Sequence, residues 1–444
     1  MGKSKIFLSI SLLFLLLVFI LDLWKPSLFS DLDFNQDNFS FDQFYQFQAK
    51  VVNLDKKLDA WQLVVQPKDL AFFQGQIIVY APLYPEYQYG DILELSCKIY
   101  QPEKIVNENG QKFFYDQYLA KDDIYGQCFR PKIKLIGQQK DWRTIFFISK
   151  KYFWQNLNDY LPEPASSLAK AMLLAARREL PDELRNTFSA AGLSHVVAIS
   201  GLHIAIIVWI LQAFLYLLGC SRQQVFYLTI LILAAYLFLL GFPSSALRAS
   251  LMVFFVLLGP FIGRQSQSIN SLLLAALILL IFNPLLLVYD IGFQLSFLAV
   301  LGLLFYVSWW QKVLFFIPNF FKVREMISVT LAAQMFTWPL IIYYFHIFSL
   351  VAPVVNILVL PLLPAVLAMS ILLALSGFWT ILANVFAWPL FILLKIIVSL
   401  AQFSVQVPFA YLNFDHFDLL ALIFSFLMIF ILTLILKPQN EKNN

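Results

Sequence analysis

Any chemistry in this 444-residue chain must come from a few polar side chains set among long apolar runs. His195, Ser200, Gly201 and His203 fall close together. Ser245 and Arg248 follow, and Asp290, Gln294 and Asn356 come later, each beside an apolar stretch. Ser200 and His203 stand one helical turn apart, a spacing that permits a serine–histidine contact and hence an activated hydroxyl. No acid lies nearby to orient the imidazole, and such pairs often arise by chance, so enzymatic chemistry is not expected. His195 and His203 would lie about 12 Å apart on an unbroken helix, too far to share a metal ion. A break at Gly201 would shorten that distance, yet no third ligand has matching spacing, and neither a metal nor a cofactor is expected. The plainer reading is that Ser200-Gly201 lets a helix bend or approach a neighbour while the histidines satisfy polar groups. Arg248 and Asp290 carry opposite charges and suit a pair. Such a pair either fixes helix packing or lines a polar cavity. Arg177, Arg178 and Arg185 are candidate phosphate contacts, with anchoring to lipid headgroups as the competing role.

The elements that must position these groups are mostly membrane spans. The chain is 60% hydrophobic and only 13% charged, whereas soluble domains run near 45–50% apolar and about 25% charged. That excludes a soluble cytosolic enzyme. Apolar runs near the roughly 20 residues that cross a bilayer occupy 195–218, 224–241, 245–262, 268–283, 290–308, 326–345, 350–376, 380–406 and 418–436. Residues 1–24, with Lys3 and Lys5 before the run Ile6–Leu21 and no small-x-small cleavage site, read as an uncleaved anchor. Together they make about ten transmembrane helices. Pro339, Pro353, Pro361, Pro364 and Pro389 lie within several of these runs, some of which are therefore expected to be broken or re-entrant.

Between anchor and spans, residues 30–140 are polar, with fifteen acids against twelve bases. Strand-like alternation at Phe47–Val52, Trp61–Val65, Gln76–Tyr80, Ile92–Ile99 and Tyr125–Phe129, with a helical insert at Phe113–Ala120, suggests a small OB-like β-barrel. A small sandwich is the alternative. Residues 141–192 carry apolar groups at helical spacing and read as amphipathic interfacial helices, although interdomain packing helices would look similar. The fold class expected is therefore a polytopic α-helical membrane protein with an inserted extracytoplasmic barrel.

Charge orients this arrangement. With both termini in the cytoplasm, the inner loops hold Arg222, Arg264, Lys312, Lys322 and Arg324, and the tail holds Lys437 and Lys442. The outer connections around 241–243, 283–285, 346–348 and 413–416 have no lysine or arginine. The barrel then lies outside, where disulfides persist, and Cys97 is expected to bond Cys128 while Cys220 stays reduced. Under the same topology His195, His203, Ser245, Arg248, Asp290, Gln294 and Asn356 share one depth. An ionisable group there costs about 2.5–3.5 kcal/mol, so it normally faces a cavity or a partner. A cavity between the outer halves of spans two, four, six and eight is the expectation, plugged by the segment Pro353–Pro364.

The run Gly192-Leu193-Ser194-His195-Val196-Val197-Ala198-Ile199-Ser200-Gly201-Leu202-His203 closely resembles the signature of the ComEC-type competence proteins. Pro243–Met252, Gly292-Phe293-Gln294-Leu295-Ser296-Phe297 and Ala352–Pro361 resemble further family segments in the same order. Phe47–Ile136, with Phe114-Tyr115-Asp116 and Tyr118-Leu119-Ala120, resembles the family's extracytoplasmic OB-like module. The resemblance implies a competence-type transmembrane channel domain at 193–437 that carries single-stranded transforming DNA across the cytoplasmic membrane. Many members end in a metallo-β-lactamase-like domain. No His-x-His-x-Asp-His cluster is present here, so strand degradation, a DNA receptor and a cytoplasmic motor would be supplied by separate partners. A homo-oligomer is left open. OB folds bind single strands by stacking bases on aromatics in a basic groove. Phe72, Phe73, Tyr84, Tyr87 and Tyr89 are the candidate stacking residues, but the module's net charge of −3, from its 15 acids and 12 bases, requires any attraction to be local. The rival class is a secondary transporter of a small solute, which should show internal repeats. None is evident.

Overall fold

Strict alternation along Asp91–Tyr100 turns Leu93, Leu95, Cys97 and Ile99 inward and leaves Glu94, Ser96, Lys98 and Tyr100 outward. That period of two is what a strand buried on one face requires. The computed structural model describes residues 39–436 except 57–59, 71–72, 104, 107–111, 262, 264–267, 319–321 and 415–416. The expected anchor, Phe72, Arg264, Lys437 and Lys442 thus lie outside the described residues. The chain divides into two compact units. One draws on residues 1–152, 234–242 and 273–291, the other on 153–233, 243–272 and 292–444.

In the first unit, strands β1 (Phe44–Lys56), β2 (Trp61–Pro67), β3 (Gln76–Ala81), β4 (Asp91–Tyr100), β5 (Ile105–Val106), β6 (Lys112–Phe113), β7 (Ile124–Phe129) and β8 (Lys132–Gln138) follow in order. Five of them close a barrel, β1-β2-β3-β7-β4 and back to β1, with β8 added along β4. All these pairings are antiparallel except β3 with β7. Closure removes the sheet edges, which decides against the sandwich. The interior holds Ala49, Val51, Leu63, Val65, Ile77, Val79, Leu93, Leu95 and Ile99. The short helix α1 (Tyr115–Ala120) covers part of the outside, where Leu119, Tyr115 and Tyr118 pack on Val64, Ile78 and Tyr80. Tyr89 stacks on Phe147 at 4.0 Å, and Lys50 pairs with Asp141 at 3.0 Å, tying the barrel to the start of helix α2 (Thr144–Tyr160).

The remaining helices are α3 (Ala165–Leu174), α4 (Asp182–Ala190), α5 (Ser194–Val197), α6 (Gly201–Leu217), α7 (Arg222–Leu240), α8 (Ser244–Phe261), α9 (Ser268–Phe282), α10 (Leu286–Tyr289), α11 (Ile291–Val313), α12 (Val323–Phe345), α13 (Ala352–Val359), α14 (Leu363–Ser376), α15 (Thr380–Val405) and α16 (Leu419–Leu436). Among the described residues six are long and apolar enough to cross a membrane: α7, α8, α11, α12, the run α13–α14, and α15. α6, α9 and α16 are apolar but shorter. Trp209, Trp388, Phe403 and Phe424 stand exposed along these helices. Apolar surface of that extent on water-facing helices would be unstable, and lipid is its natural solvent. This is a polytopic helical membrane protein with a small β-barrel inserted in its sequence.

One expectation is corrected. The span 195–218 is not one helix: α5 ends at Val197, Ala198 and Ser200 are extended, and α6 begins at Gly201. Pro339 and Pro389 do not break their helices, which run on through them. Only the Pro-rich run at 353–364 is interrupted, by a 3-10 turn at Leu360–Leu362. Within 141–192, α3 is buried along its whole length in the second unit. A helix lying on a bilayer surface would expose one face, so α3 is a packing helix.

Candidate functional site

Gly192 opens the signature segment with φ +75°, a conformation that disfavours any side chain. A Cβ there would also lie 2.3 Å from Ala352 Cβ at the start of α13. The glycine thus lets the segment bearing His195 sit directly against the segment bearing Asn356. After the break, Ser200 precedes α6 in an extended conformation and its hydroxyl does not cap the helix. Its Oγ lies 3.0 Å from His203 Nδ1 instead. His203 is fully buried, and its Nε2 makes no hydrogen bond. His195 on α5 is half-buried.

α6 packs against α8 and α14. At the first contact a Cβ on Gly201 would come 3.9 Å from Ala249 Cβ, ordinary van der Waals distance. The neighbouring Arg248 is buried, with Nη1 3.3 Å from Ser244 Oγ and its guanidinium 5.8 Å from the ring centre of Phe293 on α11. Ser245 and Gln294 are half-buried on α8 and α11. Asn356 is buried on α13, and its Oδ1 has no partner. Helices α6, α8, α11 and α14 are therefore linked in contact, and α13 joins through Gly192. A buried amide oxygen without a hydrogen bond costs about 1–3 kcal/mol.

Asp290 belongs to the first unit. Its carboxylate meets Lys121 Nζ at 3.2 Å, with both side chains buried, and Asn283 Nδ2 donates to the Lys121 carbonyl at 2.8 Å. The segment Asn283–Asp290 thus holds the end of α1. Burial alone would lower the Lys121 pKa, but Asp122, Asp290 and Tyr118 outweigh it and hold the ammonium above the usual lysine range. Sequence reasoning missed this lysine because only the fold brings it to Asp290.

A second omission is Lys170. Buried in α3, it lies 3.0 Å from Glu179 Oε2, 3.6 Å from Glu163 and 3.3 Å from Asn158 Oδ1, with the Trp154 ring at 4.4 Å. Trp154 Nε1 donates to both Glu179 oxygens at 2.8 and 3.0 Å. A single ionisable residue in the run Ala169–Leu174 was the available signal. This cluster fixes the 3-10 turn Arg177–Glu179, whose Arg177 and Arg178 are exposed. Arg185 is ion-paired to Asp182 one turn earlier.

In the barrel, Cys97 and Cys128 are bonded, with Cα atoms 6.2 Å apart, joining β4 to β7. Cys220 is free. The candidate stacking aromatics need correction: Phe73, Tyr87 and Tyr89 are buried, and only Tyr84 among the described ones is exposed. All three lie in connections outside the strands: Phe73 and Tyr87 fold into the barrel core, and Tyr89 is covered by Phe147.

A small barrel inserted in the sequence of a polytopic helical chain, with polar groups buried on touching helices, defines the class as a helical membrane protein. The Competence protein family model matches residues 172–439, more than half of the chain. The chain belongs to that family. It is 29% identical over 270 residues to ComE operon protein 3 of Bacillus subtilis (strain 168), a match covering 60% of this chain and 34% of that protein. An uncharacterized protein of Aquifex aeolicus (strain VF5) is 28% identical over 280 residues, covering 58% and 61%. The uncharacterized protein YcaI of Escherichia coli (strain K12) is 26% identical over 227 residues, covering 48% and 29%. The aligned part thus spans from 29% to 61% of the length of these relatives. No solved structure matches.

Proposed function

We propose that this chain carries single-stranded transforming DNA across the cytoplasmic membrane during natural competence. Family membership supports the role in DNA uptake, and the name of the Bacillus relative agrees. The observation that carries the transport step is the set of buried polar groups on separate apolar helices: His203 on α6, Arg248 on α8 and Asn356 on α13. His203 Nε2 and Asn356 Oδ1 lack hydrogen bonds, as expected of groups that serve a passing ligand. In this reading the outer parts of α6, α8, α11 and α13–α14 line one path, closed at rest by the segment Pro353–Pro364. Arg177, Arg178 and Arg185 meet phosphates on the approach. The barrel faces outward and both termini the cytoplasm. A separate nuclease, a DNA receptor and a cytoplasmic motor complete the pathway.

The interruptions at Ala198–Ser200 and Leu360–Leu362 also suit a secondary transporter of a small solute, whose sites sit at broken helices. Deletion in a transformable host separates the two. DNA transport predicts normal binding of labelled DNA at the cell surface with uptake abolished. Unchanged uptake would overturn it.

A further inference from the structure

Helix α15 carries two seams at coiled-coil spacing. Ala387, Leu390, Leu394, Ile397, Ala401 and Ser404 recur three and four residues apart by turns, and all are buried. That spacing lines one side of a helix for a helical neighbour, and α15 packs along α14. The second seam has the same spacing but lies open: Trp388, Ile392, Lys395, Ser399, Gln402 and Gln406 are all exposed. At 3.6 residues per turn the two seams fall on nearly opposite sides of the helix. The open seam is polar where its flanks are not. Lys395, Ser399, Gln402 and Gln406 carry a charge, a hydroxyl and two amides, whereas Val385, Ile396 and Phe403 stand exposed beside them.

α15 has the length and hydropathy of a membrane span. Lys395 lies about 15 Å from its nearer end at 1.5 Å per residue, too deep for the ammonium to reach water by bending its stem. Among the described residues the ammonium meets the Phe391 ring, 5.9 Å from its centre, and no carboxylate. Lipid tails offer no counter-charge, so such a group at that depth normally faces a partner. The hydroxyl and amides in the same line suit hydrogen bonds across a helix–helix contact. A second copy of this chain fits poorly, because two-fold pairing along the seam sets Lys395 against its own copy and like charges repel. The apolar run Ile6–Leu21, outside the described residues, holds no acidic side chain. We propose that the open seam of α15 docks a membrane-spanning helix of a partner protein whose carboxylate, at mid-membrane, pairs with Lys395. The docking does not depend on what the chain transports.

The test places the full chain, with Cys220→Ser, in phosphatidylcholine vesicles with a leucine-rich membrane-spanning peptide carrying one central glutamate. Energy transfer between labelled chain and labelled peptide reads association. The glutamate peptide should bind about tenfold tighter or better than the same peptide with leucine at its centre, as desolvated charge pairs give. Lys395→Met should abolish that preference, and Lys395→Glu should transfer it to a peptide with a central lysine. Ser399→Trp should block the glutamate peptide, whereas Ile396→Trp, beside the seam, should leave it bound. Equal binding of the glutamate and leucine peptides would overturn the proposal. Energy transfer between copies of the chain that changes with Lys395→Met would overturn it in favour of a seam between copies. Reaction of Lys395→Cys with a membrane-impermeant thiol reagent in peptide-free vesicles would also overturn it, because the seam would then line water.

Discussion

Arg248 is held by Ser244 and the Phe293 face inside helices with few other charges. Its planar, permanently charged fork suits both the ring and a passing phosphate, which a lysine ammonium does not match. Arg248→Ala should therefore reduce DNA uptake sharply, whereas Arg248→Lys should retain part of it. Wild-type uptake in the alanine variant would count against a role on the path. Lys121 makes a different point. Removing one partner of a buried ion pair costs about 3–5 kcal/mol, whereas replacing both by apolar groups is often neutral. Lys121→Met should lower the unfolding temperature of the intact protein, and adding Asp290→Leu should restore much of it. A double variant no better than the single would show that Asp290 is not the partner that matters. Because the folded pKa of Lys121 is raised, its contribution is fully present below the ordinary lysine value and fades as pH rises through the folded one. Alkaline titration should destabilise the wild type more than Lys121→Met.

At the scale of elements, the barrel was the most legible part of the sequence. Alternation placed Trp61–Val65, Gln76–Tyr80, Ile92–Ile99 and Tyr125–Phe129 within a residue or two of the strands observed. β8 escaped because neither of its faces is fully buried, which leaves no clean alternation to read. The stacking residues were misjudged because aromatic type is visible in a sequence, whereas Phe73, Tyr87 and Tyr89 lie in connections whose path only the fold fixes. Tyr87 and Tyr89 are buried, and Phe129 at the end of its strand stayed out. Among the helices, hydropathy located every apolar run after residue 200 but not the break before Gly201, since Ala198-Ile199 is as apolar as helix. The bond between β4 and β7 closes a loop of 31 residues, worth roughly 3–4 kcal/mol in the chain-entropy model. Cys97→Ser with Cys128→Ser should lower barrel stability by about that amount. Alkylation of the intact, unreduced chain should label Cys220 alone, and labelling of all three cysteines would refute the pairing.

On the scale of the whole molecule, the transport reading requires the polar groups of α6, α8, α11 and α13–α14 to meet along one path. Thiol accessibility decides whether they do. Ser245 and Asn356 lie on α8 and α13, far apart in sequence, and the path requires both to be reachable from outside. In a background with Cys220→Ser, Ser245→Cys and Asn356→Cys should each react with a membrane-impermeant thiol reagent added outside. DNA held in transit should protect both. Reaction only from the cytoplasmic side, or labelling that engaged DNA leaves unchanged, would contradict the path.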